Sequence, residues 1–330
     1  MNYKKLGTTN INISQFALGC WPFAGGDLWG HQDDSDSIDA VNSSIDKGIN
    51  FFDTAPGYGE GKSEEVLGKA LQNKRAEVVI TTKVSPNSLD IKGLIKSCEE
   101  SLTRLRTDYI DLYQIHWPNP EIKIEETVEG LIKLKTQGKI RSIGVSNFGV
   151  EDFKSINNLT EVVTNQLPYN GLWRAIEEEI SNICINNNTG IICYSTLAQG
   201  LLTGRYRNAD SVPNGVSRSK LFSKNRSPLC RHKENGCEDI LFTVINKLIA
   251  YSEKIGLPLA TFALGWLKVQ PGVQSMLIGA RNRNEVELNM PAFNINLSGA
   301  DINVFETITE PIKKHIGGDP DMWNEVSKYR

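Results

Sequence analysis

Long apolar runs are missing from this 330-residue chain. None approaches the ~20 residues needed to span a bilayer, so no membrane partner is expected. Charge of one sign is also missing: 36 Lys and Arg against 39 Asp and Glu leave a net charge of −3. With no dense Lys/Arg block, nucleic acid is not an expected partner. Cysteine is scarce, and Cys20, Cys98, Cys184, Cys193, Cys230 and Cys237 show no disulfide-framework spacing. Cys98 on an apolar helical stripe and Cys193 inside an apolar run read as buried thiols. Cys230, His232 and Cys237 crowd together, but their spacing matches no zinc pattern and no fourth ligand is near, so no metal is expected. The opening residues carry no apolar segment behind their positive charges, which argues against a signal peptide. On these absences a reduced, cytoplasmic protein is expected. A Gly-x-Gly-x-x-Gly after an early strand is absent too, which excludes a Rossmann dehydrogenase. Gly25 to Gly30 is glycine-rich with the wrong spacing.

What is present is an alternation of strand and helix. Residues 16–21, 50–55, 78–83 and 110–116 read as four strands, and 142–147, 162–166, 191–195 and 275–280 as four more. Several are nearly continuous apolar runs, as parallel strands covered on both faces require. Between them the period is helical: Ile38, Val41 and Ile45 before a Gly48 stop, Leu94, Cys98, Leu102 and Leu105 on one stripe, and Leu259, Phe262, Trp266 and Leu267 on another, opened by Pro258. Eight such repeats predict an α/β protein of the (β/α)8 TIM barrel class, with an open doubly wound sheet as the runner-up. Residues 1–15, turning at 7–10, read as an N-terminal β-hairpin. Residues 197–236 form a long loop after strand seven, of a length usual for a lid, a binding loop or a disordered segment. A C-terminal helical extension begins at Ser298. No linker divides the chain, so residues 1–330 are expected to form one domain.

Barrel chemistry is built at the C-terminal strand ends. Strand two ends in Phe52-Asp53-Thr54-Ala55 with Tyr58 in the loop behind it, strand three ends in Thr82-Lys83, and strand four in Ile115-His116. Each residue alone has an ordinary explanation: a helix cap, a packing tyrosine, a surface charge. Their position on three successive strand ends is what assigns them together. A phenol of pKa about 10 donates poorly at neutral pH, and an ammonium at Lys83 is expected to lower it. Asp53 would keep Lys83 charged, and His116 would orient a substrate carbonyl by a hydrogen bond. The set protonates an oxygen but carries no nucleophile for carbon, and a hydride from a reduced nicotinamide suits that gap. Trp21, Trp29 and Trp117 read either as walls of a substrate pocket or as ordinary packing.

The segment Gly48-Ile-Asn-Phe-Phe-Asp-Thr-Ala-Pro-Gly-Tyr-Gly-Glu-Gly-Lys-Ser-Glu64 resembles the first signature of the aldo-keto reductase superfamily. Ile143-Gly-Val-Ser-Asn-Phe148 resembles the second. Ile278-Gly-Ala-Arg-Asn282, with Glu285 and Asn289, resembles the third. The resemblance spans nearly the whole chain and is nearest to bacterial aldo/keto reductases related to potassium-channel β-subunits. It implies an NAD(P)-dependent oxidoreductase that reduces a small aldehyde, ketone or open-chain sugar. Asp53, Tyr58, Lys83 and His116 become its catalytic tetrad, and Trp21, Trp29, Tyr58, His116 and Trp117 its substrate contacts. It also assigns Ser146, Asn147 and Gln166 to the nicotinamide carboxamide, Tyr194 to the ring, and Trp21 and Asp53 to the same neighbourhood. Ser195, Leu197, Gly200 and Arg205 fall to the pyrophosphate; Gly279, Arg281, Glu285 and Asn289 fall to the adenosine end. Two departures stand out: Thr196 replaces a usual proline, and Glu285 stands where members that grip a 2′-phosphate often carry Arg. NADP(H) is the family's default cofactor, and NAD(H) stays open. Two other activities fit the same barrel, a redox-sensing regulatory subunit with little turnover and a Schiff-base lyase using Lys83. An Asp beside that lysine argues against the lyase, because it holds the amine protonated.

Overall fold

A computed structural model describes residues 1–330, with the side chains of residues 27 and 28 outside the description. Strands β1 (Tyr3–Lys5) and β2 (Asn12–Ser14) pair antiparallel as the expected hairpin. The next eight are β3 (Phe16–Gly19), β4 (Phe51–Asp53), β5 (Val79–Val84), β6 (Ile110–Ile115), β7 (Ile140–Ser146), β8 (Thr164–Pro168), β9 (Gly190–Tyr194) and β10 (Val273–Gly279). They are all parallel and close into a barrel in which β10 pairs with β3. The TIM barrel is therefore the fold, and the open sheet is excluded. Helices follow the strands: α1 (Gly26–Trp29), α2 (Asp34–Asp46), α3 (Lys62–Ala70), α4 (Ile91–Leu105), α5 (Ile124–Thr136), α6 (Val150–Asn157) and α7 (Ile180–Asn186). After them come α8 (Glu238–Lys254), α9 (Leu259–Leu267), α10 (Arg283–Asn289), α11 (Pro291–Asn294) and α12 (Gly299–Ile316). Among the described residues no helix is long and apolar enough to cross a membrane.

Strand ends shift by one or two residues from the sequence reading, each for a local reason. The first barrel strand stops at Gly19 rather than Trp21, because Pro22 opens a 3-10 turn over Trp21–Ala24. Asn147 and Ser195 leave their strands in left-handed backbone, with φ of 64° and 52°. β8 begins at Thr164 and runs on to Pro168, which pairs with Tyr194.

Burial follows the barrel pattern. β5 and β6 are buried along their whole length, as parallel strands must be when helices cover one face and the barrel interior the other. The stripe of Leu94, Cys98, Leu102 and Leu105 is buried on α4, whose start is capped by Asp90 accepting from the Gly93 N–H at 3.0 Å. Pro258 stands at the N-cap of α9 rather than inside its first turn, and eight of the nine residues of α9 are buried. A second, smaller core fills the barrel floor. There Leu6 and Ile13 of the hairpin pack on Ala17, Phe51, Val79, Leu112, Val163, Ile192 and Leu277.

The 197–236 loop is packed on its own apolar residues, with Leu201, Leu202, Leu221 and Phe222 buried. It also holds the 317–330 segment beyond α12: Lys220 pairs with Asp319 at 2.7 Å, and the Lys220 N–H donates to the Met322 carbonyl at 2.8 Å. Asp321, wholly buried, accepts from the N–H groups of Trp323 and Asn324 at 3.0 Å each. The Arg330 carbonyl then accepts from the first-turn N–H groups of Glu151 and Asp152, at 2.9 and 3.1 Å. So anchored, the segment lies across the C-terminal face of the barrel.

Candidate active site

The short β4 delivers Asp53 to the barrel mouth, and β5 brings Lys83 beside it with both side chains almost fully buried. The Lys83 ammonium donates to both Asp53 carboxylate oxygens (2.8 and 2.9 Å) and to the Thr54 carbonyl (2.9 Å). It also lies 3.4 Å from the Tyr58 hydroxyl. The loop carrying Tyr58 is tied at its far end: Ser63 Oγ donates to the Cys20 carbonyl at 2.7 Å. Buried Glu64 accepts from Thr82 Oγ1 at 2.5 Å and from Arg104 Nε at 2.6 Å. His116 follows β6, its ring edge-on to Tyr58 with centroids 6.0 Å apart. The structure thus brings Asp53, Tyr58, Lys83 and His116 into one cluster.

Electrostatics within the cluster depart from the sequence expectation in one respect. Burial raises the Tyr58 phenol above its ordinary value; Lys83 opposes this without cancelling it, and Asp53 adds to it. Lys83 acts in the expected downward direction, but depth, which the sequence did not show, outweighs the neighbouring charge. Burial alone would lower Lys83, but Asp53 and Tyr58 outweigh it and hold the ammonium charged. Burial, with Lys83 adding to it, pushes His116 down to about 3, so its imidazole is neutral near pH 7 and offers one N–H.

Trp21 stacks on Tyr58 with centroids 5.5 Å apart and planes at 21°, and Trp29 meets Trp21 edge-on. The two tryptophans therefore wall the phenol from the side. Trp117, beyond His116, sits edge-on to Tyr329 at 5.6 Å.

Across the mouth, β7, β8 and β9 place Ser146, Asn147, Gln166 and Tyr194. Gln166 Nε2 donates to Asp53 Oδ2 at 2.7 Å, and among the described residues no hydrogen bond reaches its Oε1. Asn147 Nδ2 donates to the His116 carbonyl at 2.9 Å and to Ser146 Oγ at 3.0 Å. Further round, Gly200 has φ +95°, and a methyl built on it would lie 2.6 Å from an Arg205 guanidinium nitrogen. Only a glycine leaves that turn open under Arg205. Ser195 and Leu197 lead into this turn, and Thr196, in place of the usual proline, donates to the Leu277 carbonyl at 2.9 Å. Glu285 accepts from the Arg281 N–H (2.8 Å) and from its guanidinium (2.6 and 3.0 Å). Asn289 Nδ2 donates to the Glu285 carbonyl at 2.8 Å. Gly279 ends β10 against Pro22.

Two residues at this mouth escaped the sequence reading. Tyr329 donates to Asn147 Oδ1 at 2.6 Å, and Trp323 lies parallel to Tyr194, centroids 6.2 Å apart and planes at 10°. Their segment is polar and has no periodicity; two aromatic residues six apart in it were the one available signal. Cys230, His232 and Cys237 turn to separate partners. Cys230 Sγ lies by the Ser217 and Ser223 carbonyls, His232 Nδ1 accepts from Glu234, and Cys237 is buried.

The pattern of the Aldo/keto reductase family matches residues 15–310. The "Aldo-keto reductase YhdN" of Bacillus subtilis (strain 168) is 35% identical over 324 residues, covering 94% of each chain. The "NADH-specific methylglyoxal reductase" of Escherichia coli (strain K12) is 33% identical over 335 residues, covering 94% of this chain and 98% of its own. Among solved structures, an aldo-keto reductase from Klebsiella pneumoniae in complex with NADPH superposes with a TM-score of 0.73 at 29% identity, covering 94% of this chain and 96% of its own.

Proposed function

The chain belongs to the aldo/keto reductase family, and from that membership we propose that it reduces a small aldehyde or ketone to the alcohol, with Tyr58 as the proton donor. The observation that carries the reading is the buried Asp53–Lys83 pair, with the Lys83 ammonium 3.4 Å from the Tyr58 hydroxyl. Residues 1–330 are taken to work as one catalytic unit.

The residues at the mouth fit a nicotinamide dinucleotide. The open acceptor on Gln166 matches the N–H of a carboxamide, and Ser146 and Asn147 flank the same edge. Tyr194 would carry the ring, and the open turn at Gly200 with Arg205 suits a pyrophosphate. Gly279, Arg281, Glu285 and Asn289 would hold the adenosine end, beside the phosphate region expected after the last two barrel strands. The bound nucleotide supplies the hydride for the carbonyl carbon. Both NADP(H) and NAD(H) have support among the relatives, one named NADH-specific and one in complex with NADPH.

The chain's own residues do the rest. His116, neutral at working pH, donates its N–H to the substrate oxygen and sets its direction. Tyr58 keeps its proton until charge develops on that oxygen, then gives it up. The phenolate left behind lies beside the Lys83 ammonium, which stabilises it without moving. Asp53 holds Lys83 in place by two hydrogen bonds, and Gln166 holds Asp53. Trp21 stacks on Tyr58 and Trp29 braces Trp21, which favours a compact, partly apolar substrate, with Trp117 beyond His116 as a further contact.

Tyr58→Phe tests the assignment. Turnover of 4-nitrobenzaldehyde should fall about 10²- to 10⁴-fold, the usual contribution of a positioned acid. The Kd for NADPH and NADH, read from nicotinamide fluorescence, should change less than about twofold, since the phenol does not bear on nucleotide binding. A variant that keeps most of its turnover removes Tyr58 from the mechanism.

A further inference from the structure

Asn147 follows β7 directly, in left-handed backbone with φ +64°. Its amide has one orientation that satisfies its surroundings. Nδ2 faces two acceptors, the His116 carbonyl and Ser146 Oγ, which turns Oδ1 the other way. There Oδ1 receives two phenols, Tyr194 at 2.7 Å and Tyr329 at 2.6 Å. Burial pushes both phenols above their ordinary value, so both are neutral and donate. An amide oxygen offers two lone pairs, and both are taken.

The two phenols are held very differently. Tyr194 closes a barrel strand and is fixed by the sheet. Tyr329 belongs to the 317–330 segment. Asp321 and the Lys220–Asp319 pair fix the start of that segment. Its last residues are held by side-chain and chain-end contacts instead of a sheet: Ser327 Oγ donates to Asp319 at 2.6 Å, the Lys328 N–H lies 3.2 Å from Asp321 Oδ2, the Tyr329 N–H lies 3.2 Å from Ser327 Oγ, and Arg330 bonds the first turn of α6 through its carbonyl and pairs with Asp152. The same segment lays Trp323 along Tyr194, the ring expected to carry the nicotinamide.

We propose that Tyr329 is a residue of the nicotinamide site: its hydroxyl holds the position at Asn147 Oδ1 that a carboxamide N–H needs, and must withdraw before the cofactor seats. Cofactor binding and the seating of residues 327–330 therefore oppose each other, and the intrinsic affinity is reduced by the fraction of molecules in which Tyr329 has left. The inference rests on the reading that Asn147 meets the carboxamide.

Three measurements on the full chain decide it. Tyr329→Phe keeps the ring against Trp117 and deletes the competing donor. Its Kd for NADPH and NADH should tighten about fivefold, the equivalent of one net hydrogen bond lost from the free state. In the unaltered protein, hydrogen exchange at the amides of Lys328 and Tyr329 should quicken when NADPH or NADH is added. Asn147→Ala should weaken nucleotide binding. If Asn147→Ala leaves Kd unchanged, the placement of the carboxamide is wrong, and the inference goes with it. If Asn147→Ala weakens binding while Tyr329→Phe fails to tighten it and exchange at 328–329 does not respond, Tyr329 does not compete and the inference alone is overturned.

Discussion

As the proposed proton donor, Tyr58 owes its proton to depth. Lys83 pulls the phenol toward ionisation and burial pushes harder the other way, so the hydroxyl stays protonated. The four side chains were legible in the sequence, since strand ends follow from the alternation of apolar runs. The net direction of the phenol was not, since depth is a property of the closed barrel and no local pattern encodes it. Tyr329 was invisible for a related reason: its partner, Asn147, is 182 positions away in the chain. Glu285 was visible, but its engagement was not. Its carboxylate takes both the N–H and the guanidinium of Arg281, so the one cation among the four residues assigned to the adenosine end is already neutralised. Glu285→Gln should therefore tighten NADPH roughly fivefold, about the 1 kcal/mol of two charges 4 Å apart in water, and leave NADH within about twofold. Fluorescence titration of both nucleotides checks this, and equal shifts for both would place the 2′-phosphate elsewhere.

At the scale of elements, the eight barrel strands and the hairpin follow the β-rich runs of the sequence, and only their ends moved. Those ends are set by residues that act through the backbone, such as Pro22 at the first strand and left-handed Asn147 and Ser195 at two others. The α3–α4 contact shows how closely the outer layer is fitted. A methyl on Gly68 would lie 2.5 Å from the Arg104 carbonyl, and backbone cannot retreat cheaply. Gly68→Ala replaces a poor helix former with the best one, yet the crossing should dominate. We expect a loss of about 1–3 kcal/mol in urea unfolding, the usual cost of overpacking. A gain in stability would mean that α3 slides freely. Because Glu64 and Arg104 join the same two helices beneath the Tyr58 loop, the variant should also slow turnover.

For the whole molecule, acid stability carries the imprint of the site. His116 is neutral in the fold, held down to about 3 by burial and by Lys83, and free to protonate near 6.5 once unfolded. Between those values the unfolded chain binds the extra proton, so stability falls as pH drops below about 6.5. His116→Gln removes that dependence, and its Tm should decline less than that of the unaltered protein between pH 6.5 and 4. Parallel Tm–pH curves would show that His116 is charged in the fold. The long loop and the 317–330 segment belong to this scale as well, since Lys220 and Lys233 bind the segment's Asp319 and Glu325. A loop of that length reads from sequence as free, because the residues that fasten it lie almost a hundred positions further on.

The hairpin has a different consequence. Leu6 and Ile13 stopper the barrel floor beneath a packed interior, so the Asp53–Lys83 pair is reached from the opening at the C-terminal face and not from below. If the proposed nucleotide and carbonyl share that opening, the deeper of the two must enter first and leave last.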